Sequence, residues 1–469
     1  MNKLPPSVRN NLIRKASDIK KKRWTLRSLA AMNETSSSNT NATCSTSTST
    51  SANSSPKENN EKRPVPPSIV ADTLLSEVNV RLARQHKKCL EMIDEVSGNK
   101  VHSSSLSNDN DEEKSPTRRI IRAVNNPMQG MSFKEWMHRS QVSKKEKEVA
   151  LKALNDLEIL HADTFAITEH LLSNDKPTLR RFSKADQSLI AATFEQIRSR
   201  HASTVENLAD VVVGIRKLKD ISEEGGTTTR LDQMLVDEFL RDRLGIQLLC
   251  DHYVGLNRGK PGGGIAVNCS FSNVLTDAIT EAKSICDANF GIAPEVHVLF
   301  DDSTSSDDAT VTLIRPWVHH ALVELLKNGM TSSVQKGDFA GVSLPPDLFV
   351  SVSVRRHVGE ETLLCEIMDQ GVGLNDEGLK NAFRFADSSS EERWDRIDEQ
   401  QSYAMVRAPI ASLGVGLSLS QMMMQMFGGE VHLKSRRESE LLQTTKSVQL
   451  DSGCSATLHL PLCDDIKEL

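Results

Sequence analysis

At Pro261-Gly262-Gly263-Gly264 the chain changes its hydrophobic period, and that change limits the folds it can adopt. Upstream, apolar residues recur at steps of three and four. Ile69, Leu74, Leu75, Val78, Leu82, Leu90, Ile93 and Val96 form one such series, the spacing of a helix with one buried stripe. Further helical stretches follow near 143–172, 184–218 and 227–257, parted by the turn signals Asn174-Asp175-Lys176-Pro177 and Gly225-Gly226. Four long amphipathic helices on short connections predict an antiparallel bundle. Downstream, strand-like runs at 295–300, 348–355, 362–368, 430–435 and 454–460 alternate with helical runs at 274–289, 316–334, 376–385 and 416–427. Pairing of 348–355 with 362–368 across Gly359 predicts an antiparallel ladder. The expected fold is therefore α+β in two domains: a four-helix bundle over 68–260, then an α/β sandwich over 261–469 with helices on one face of a mixed sheet. The glycine run reads as the hinge or linker between them, since no Gly-Lys-Ser/Thr follows to make it a phosphate loop.

Two polar tracts stand outside this pattern. The Ser/Thr/Asn-rich run from Glu34 to Pro67 cannot bury enough apolar surface to offset chain entropy and reads as linker. Ser103 to Pro116 marks an exposed insertion at about 98–117. Residues 1–31 carry nine basic side chains, Lys3 to Arg27, against the single acid Asp18. That composition predicts an organelle transit peptide, with a disordered basic tail as the alternative. A net charge of -6, from 57 basic and 63 acidic residues, argues against a nucleic-acid partner. No run approaches the roughly 18 apolar residues of a membrane span. The eight cysteines show no Cys-x-x-Cys spacing, and Cys250, Cys286 and Cys365 sit in apolar runs, as reduced core residues would.

The chemistry gathers in the second domain. In His320-Ala-Leu-Val-Glu324-Leu-Leu-Lys327-Asn328, the residues Leu322, Val323, Leu325 and Leu326 turn one side of a helix to a core. His320, Glu324 and Asn328 repeat every four residues on another stripe. An imidazole, an acid and an amide in a row suit work on a metal and a phosphate. Asp369-Gln370-Gly371-Val372-Gly373 follows an apolar strand, which puts the acid at a strand end. There a carboxylate can accept a hydrogen bond from an exocyclic amine, while Gly371 and Gly373 let a planar ring approach the backbone. A tight turn with an Asp cap accounts for that motif as well. Gly414-Val415-Gly416-Leu417 opens the next helix, and bare N–H groups at a helix N-terminus favour phosphate.

The order of these motifs, closed by Ser452-Gly453 before the last strand, resembles the Bergerat-type ATP-binding fold shared by gyrase, Hsp90, histidine kinases and MutL, over residues 270–463. Glu324-Leu-Leu-Lys327-Asn328 resembles the Glu-x-x-Lys-Asn box of the mitochondrial 2-oxoacid dehydrogenase kinases, the pyruvate and branched-chain enzymes. Arg243-Leu-Gly-Ile-Gln247-Leu-Leu, with His252 behind it, is similar to that family's Arg-rich bundle helix. The resemblance implies a protein serine kinase of the mitochondrial matrix that uses ATP and Mg²⁺, with K⁺ a further candidate. Its implied substrate is the thiamine-dependent dehydrogenase subunit, its dock the lipoyl domain of the acyltransferase core, and its assembly a homodimer. Glu324 would be the general base, His320 its orienting neighbour, and Lys327 a phosphate neutraliser. Asn328 would hold Mg²⁺, Asp369, Gly371 and Gly373 would receive adenine, and Gly414, Val415, Gly416 and Leu417 would line the triphosphate. The segment 375–413 would be a lid. The chain departs from the family at Ser412, Ser418, Thr331, Cys454 and Gln247, where glycine, proline, arginine, threonine and arginine are usual. Two alternatives stay open. One is a two-component-type histidine kinase using His161, His170 or His201, although none stands in a His-Glu/Asp-x-x-Pro context. The other is a catalytically weak ATP-binding regulator.

Overall fold

The computed structural model describes residues 67–97, 133–173, 183–221, 229–260, 262–301, 310–339, 349–357, 362–386, 414–436 and 452–462, with Leu12 and Lys15. Apart from those two residues and Pro67, which the linker reading included and which opens the first helix, the expected leader and linker lie outside the described residues. So do the insertion at 98–117, the turn signals at 174–177 and 225–226, and residues 387–413 of the expected lid. Leu12 is 2% exposed. Lys15 donates to Asn79 Oδ1 at 2.7 Å and Glu169 Oε2 at 2.8 Å. Both residues are thus built into the helical core.

Among the described residues, the first part holds the helices α1 (Pro67–Ser97), α2 (Phe133–Ser173), α3 (Lys184–Arg200), α4 (Thr204–Ile221) and α5 (Thr229–Asn257). The stretch expected as one helix over 184–218 is two, because the chain turns at His201, Ala202 and Ser203. The His201 ring is drawn into the core there, where its Nε2 meets Thr164 Oγ1 at 2.9 Å. Cross-helix bonds give the directions. Along α1 and α2, Asn79 pairs with Thr168 and His86 with Glu158. Along α1 and α5, Arg81 lies beside Asp242 and Gln85 bonds the Phe239 carbonyl. In each pair one number rises as the other falls, so both pairs run antiparallel.

Buried polar groups tie this part together. Arg81, 2% exposed, donates to Glu77 Oε1 at 2.9 Å and lies 3.9 Å from Asp242. Gly245 on α5 makes room for it, since a Cβ there would stand 2.1 Å from an Arg81 terminal nitrogen. Cys250, Cys286 and Cys365 are free and buried as expected, and burial pushes their thiols up, Cys365 to about 12.

The glycine run is not an open hinge. Gly262 and Gly263 have φ of 73° and 58°, and a Cβ on Gly263 would stand 2.6 Å from His252 Nδ1. The Gly264 amide donates to that nitrogen at 3.3 Å. The run is a close-packed turn folded back on the end of α5, and only glycine allows backbone and imidazole to approach so closely.

The second part holds β1 (Ala266–Ser270), α6 (Phe271–Phe290), β2 (Glu295–Phe300), β3 (Thr310–Leu313) and α7 (Arg315–Phe339). It continues with β4 (Phe349–His357), β5 (Thr362–Met368), α8 (Asp376–Asn381), α9 (Gly416–Met426), β6 (Glu430–Arg436) and β7 (Gly453–Pro461). Five strands form a mixed sheet in the order β2-β4-β5-β7-β6, parallel between β2 and β4 and antiparallel elsewhere. Val350, Val352, Val354, Leu363, Cys365, Ile367 and Leu458 are buried, and α7 packs on β4, β5 and β7. The period-2 alternation of β5 therefore has one side under the helices. The small antiparallel pair β1–β3 was not expected from the sequence. The helix expected over 376–385 ends at Asn381 and continues as turns to Ala386. Among the described residues no helix is long and apolar enough to cross a membrane.

Candidate functional site: a polar stripe between two glycine turns

Helix α7 carries the site because its apolar residues are buried against the sheet and the helices beside it, leaving the polar stripe to face the glycine turns. Leu322, Val323, Leu325 and Leu326 are buried, while His320, Glu324 and Asn328 stay half-buried. Three glycines show what that stripe meets. A Cβ on Gly416, the first residue of α9, would stand 1.9 Å from Glu324 Oε2. One on Gly371 would stand 1.9 Å from Ser332 Oγ. A Cβ on Gly329, next to Asn328, would stand 3.2 Å from the Asp369 Cβ. The phosphate-type helix terminus thus lies at the Glu324 end of α7, and the Asp-x-Gly-x-Gly turn at the Gly329 to Ser332 end. From 324 to 332 the helix advances about 12 Å.

At the first end, Lys327 donates to Glu324 Oε1 at 2.5 Å. His320 makes no such bond: its Nε2 is buried without a hydrogen-bond partner among the described residues. Burial pushes the imidazole below its ordinary value, partly offset by the Glu324 charge, so it is held neutral. The sequence placed His320 as the residue orienting Glu324, and in this structure Lys327 makes that direct contact. Among the described residues no side chain caps helix α9 at Val415, and uncapped first amides of a helix suit an anion. Gly414 has φ 62°. Leu417 packs against the core. Ser418 turns back to the Val415 carbonyl, donating to it at 2.9 Å.

At the other end Asp369 is 6% exposed. Its Oδ1 accepts from the Gly371 amide at 2.8 Å and the Cys454 amide at 3.1 Å. Burial pushes this carboxyl up, opposed by those two amides and by the nearby Arg436 and Lys336 charges. Oδ2 points toward Gly329. Gly373, with φ 71°, passes so close to the end of β6 that a Cβ would be 2.9 Å from the Arg436 carbonyl and from Ser435 Oγ.

Three supporting residues, Arg436, Ser435 and Lys336, were missed by sequence reasoning, and the supporting role of a fourth, Ser452, was missed as well. Arg436 donates to the Asp369 carbonyl at 2.7 Å, and Ser435 accepts from the Leu374 amide at 2.7 Å. Lys336 donates to Ser452 Oγ at 3.2 Å, and Ser452 donates to the Gly371 carbonyl at 3.0 Å. Ser452 had been noted only as closing the motif order. Cys454 works through its backbone amide, and burial pushes its thiol up to about 11.

Comparison with known proteins shows what the chain is similar to. Residues 314–464 match the family described as histidine kinase-, DNA gyrase B-, and HSP90-like ATPase. Residues 132–273 match the family described as mitochondrial branched-chain alpha-ketoacid dehydrogenase kinase. The mitochondrial pyruvate dehydrogenase (acetyl-transferring) kinase of Schizosaccharomyces pombe is 26% identical over 306 residues, 60% of this chain and 68% of the relative. Its counterpart in Arabidopsis thaliana is 26% identical over 289 residues, 60% of this chain and 70% of the relative. The chain is thus similar to the mitochondrial 2-oxoacid dehydrogenase kinases in both parts. It spans 54% of a third relative, isozyme 1 of Rattus norvegicus, to which it is 24% identical over 251 residues. The two matched regions follow one another in the order expected from the bundle motif and the Asn328 box.

Proposed function

We propose that this chain is an ATP-dependent protein serine kinase acting on the thiamine-dependent subunit of a mitochondrial 2-oxoacid dehydrogenase complex, pyruvate or branched-chain. The observation that carries the reading is the arrangement along α7: Glu324 against the open end of α9, Asn328 in the middle, and Asp369 beside Gly329. A nucleotide lying along α7 would give its exocyclic amine to Asp369 Oδ2, because Oδ1 is already engaged by two amides. Its terminal phosphate would then lie at the α9 amides, within reach of Glu324. A substrate serine entering there would lose its proton to Glu324, and phosphoryl transfer asks little more of the protein than this positioning. Lys327, which now holds Glu324, would share its charge with a phosphate oxygen.

The donor set fits Mg²⁺. Among the described residues no three His, Cys, Asp or Glu side chains cluster to hold a metal, and Mg²⁺ on phosphates needs only one or two protein oxygens. Asn328 would provide its amide oxygen, and the ion when bound would neutralise charge on the phosphates. In the helical domain, α3 and α4 read as one interrupted rod of an antiparallel four-helix bundle that docks on lipoyl domains. The working form would be a homodimer in the matrix. A two-component phosphoacceptor role is not favoured: His161 and His201 are buried, and the exposed His170 stands in no His-Glu/Asp-x-x-Pro context.

The test pairs two variants on purified dehydrogenase complexes with Mg-ATP. Glu324→Gln should abolish acid-stable serine phosphorylation and spare nucleotide binding, while Asn328→Ala should lose Mg-dependent binding. Full transfer by Glu324→Gln would remove the base, and an acid-labile product would return the histidine-kinase reading.

A further inference from the structure

Arg216 stands on α4, in the helical domain, yet two of its nitrogens are spent on the ATPase-like domain. One donates to the Ala386 carbonyl at 2.6 Å and the other to the Phe385 carbonyl at 2.7 Å. A guanidinium forked over two successive carbonyls is a charge-assisted, directional contact that a point charge cannot reproduce. What it grips is unusual backbone. Phe385 is 1% exposed and Ala386 4%, and Ala386 has φ 54°, a left-handed conformation that a residue with a Cβ adopts only where its surroundings impose it.

The gripped turn is joined to the nucleotide end of the site by a short run of chain. From Asp369 the chain passes through Gly373, whose neighbour Leu374 donates to Ser435 Oγ. It then enters α8, capped by Asn375 on the Gly378 amide at 2.6 Å, and reaches Phe385. Helix α8 also packs against β6, whose Arg436 bonds the Asp369 carbonyl.

We infer that Arg216 is a positioning residue for the nucleotide: through it the helical domain fixes the backbone downstream of the Asp369 turn and so sets how long the nucleotide stays bound. The inference rests on the reading of Asp369 as the adenine acceptor. Anything that shifts α4 then alters nucleotide retention without touching Glu324 or Asn328.

The experiment uses the full chain, with stopped-flow release of a fluorescent ATP analogue, steady-state kinetics and thermal melting on each variant. For Arg216→Met, which keeps the stem and loses the donors, release and the KM for ATP rise about tenfold, the range of a lost charged hydrogen bond, while kcat stays within about threefold. Adding Ala386→Gly to Arg216→Met restores most of the retention, because glycine holds a positive φ without the fork. A folded Arg216→Met with unchanged release and KM overturns the inference. So does a loss that Ala386→Gly leaves in place, which would mark Arg216 as merely structural. Where Arg216→Met does not fold, Arg216→Lys decides, with faster release expected and wild-type release refuting. Wild-type protein that retains no nucleotide, and matches Asp369→Asn, would instead bring down the ATP-site reading itself.

Discussion

Gly416→Ala separates the folding of this site from its chemistry. The new Cβ would stand 1.9 Å from Glu324 Oε2, 2.6 Å from its Cδ and 3.1 Å from its Cγ. To reach ordinary van der Waals separation the carboxylate must withdraw by about 1.5 Å. It is the far end of a rotatable side chain, so the fold can accommodate the move. Alanine also favours a helix over glycine by about 1 kcal/mol, and net stability should change by no more than about that. The catalytic consequence is larger. Misplacing a reacting group by about 1 Å costs on the order of 100-fold in rate, or about 2.7 kcal/mol in the barrier. We expect kcat for serine phosphorylation of a dehydrogenase complex at saturating Mg-ATP to fall about 100-fold. Nucleotide affinity should hold within about threefold, since the α9 amides are kept. If the loss runs through Glu324, the double variant Gly416→Ala, Glu324→Gln is no slower than Glu324→Gln alone. A folded Gly416→Ala protein with wild-type kcat would refute the placement of the base, and a loss confined to nucleotide affinity would assign Gly416 to the phosphates instead.

That contact shows which part of the site can be read in sequence. The stripe His320, Glu324, Asn328 follows from helical spacing alone, and Asp369 at a strand end follows from the run before it. The Lys327–Glu324 bond is a local i, i+3 pair and could have been anticipated. What the glycines face could not, because those contacts join residues far apart in the chain: Gly371 with Ser332, Gly416 with Glu324, Gly453 with the Asp369 carbonyl. Arg436, Lys336 and Arg216 gave no signal for the same reason, each being a lone cation in a chain rich in them. The helical part was readable as amphipathic rods, but the break at His201-Ala202-Ser203 contains neither glycine nor proline, so periodicity runs straight through it. The Gly262–Gly264 run, read as hinge or linker, does join the helical part to the first strand, but as a packed turn. Glycines that suggested freedom are required by close packing on His252 and Gly255.

Two further perturbations act on the helical domain. Gly245→Ala would push a Cβ to within 2.1 Å of a terminal nitrogen of Arg81 and 2.8 Å of its Cζ, and the guanidinium cannot retreat without leaving Glu77 or Asp242. Overpacking of this kind costs about 2 kcal/mol, read as a lower midpoint in urea denaturation, and an unchanged midpoint would show that the buried network yields freely. Acid should weaken the same domain through its histidines. Burial lowers His161 to about 4 and His201 to about 2, and the two rings lie edge to face at 4.8 Å. In the unfolded chain each would titrate near 6.5, so below that pH the unfolded state binds more protons than the folded one. Stability is therefore complete above about pH 6.5 and is lost as the pH falls toward 4, by up to about 3 kcal/mol for His161 alone. Carboxylates titrate in part of this window, so the comparison is with a chain in which His161 cannot gain a proton. Denaturation midpoints of His161→Gln should fall less steeply than wild type between pH 6.5 and 4. Parallel pH dependences for the two proteins would mean that His161 is solvated and titrates alike in both states, against the packing seen around it.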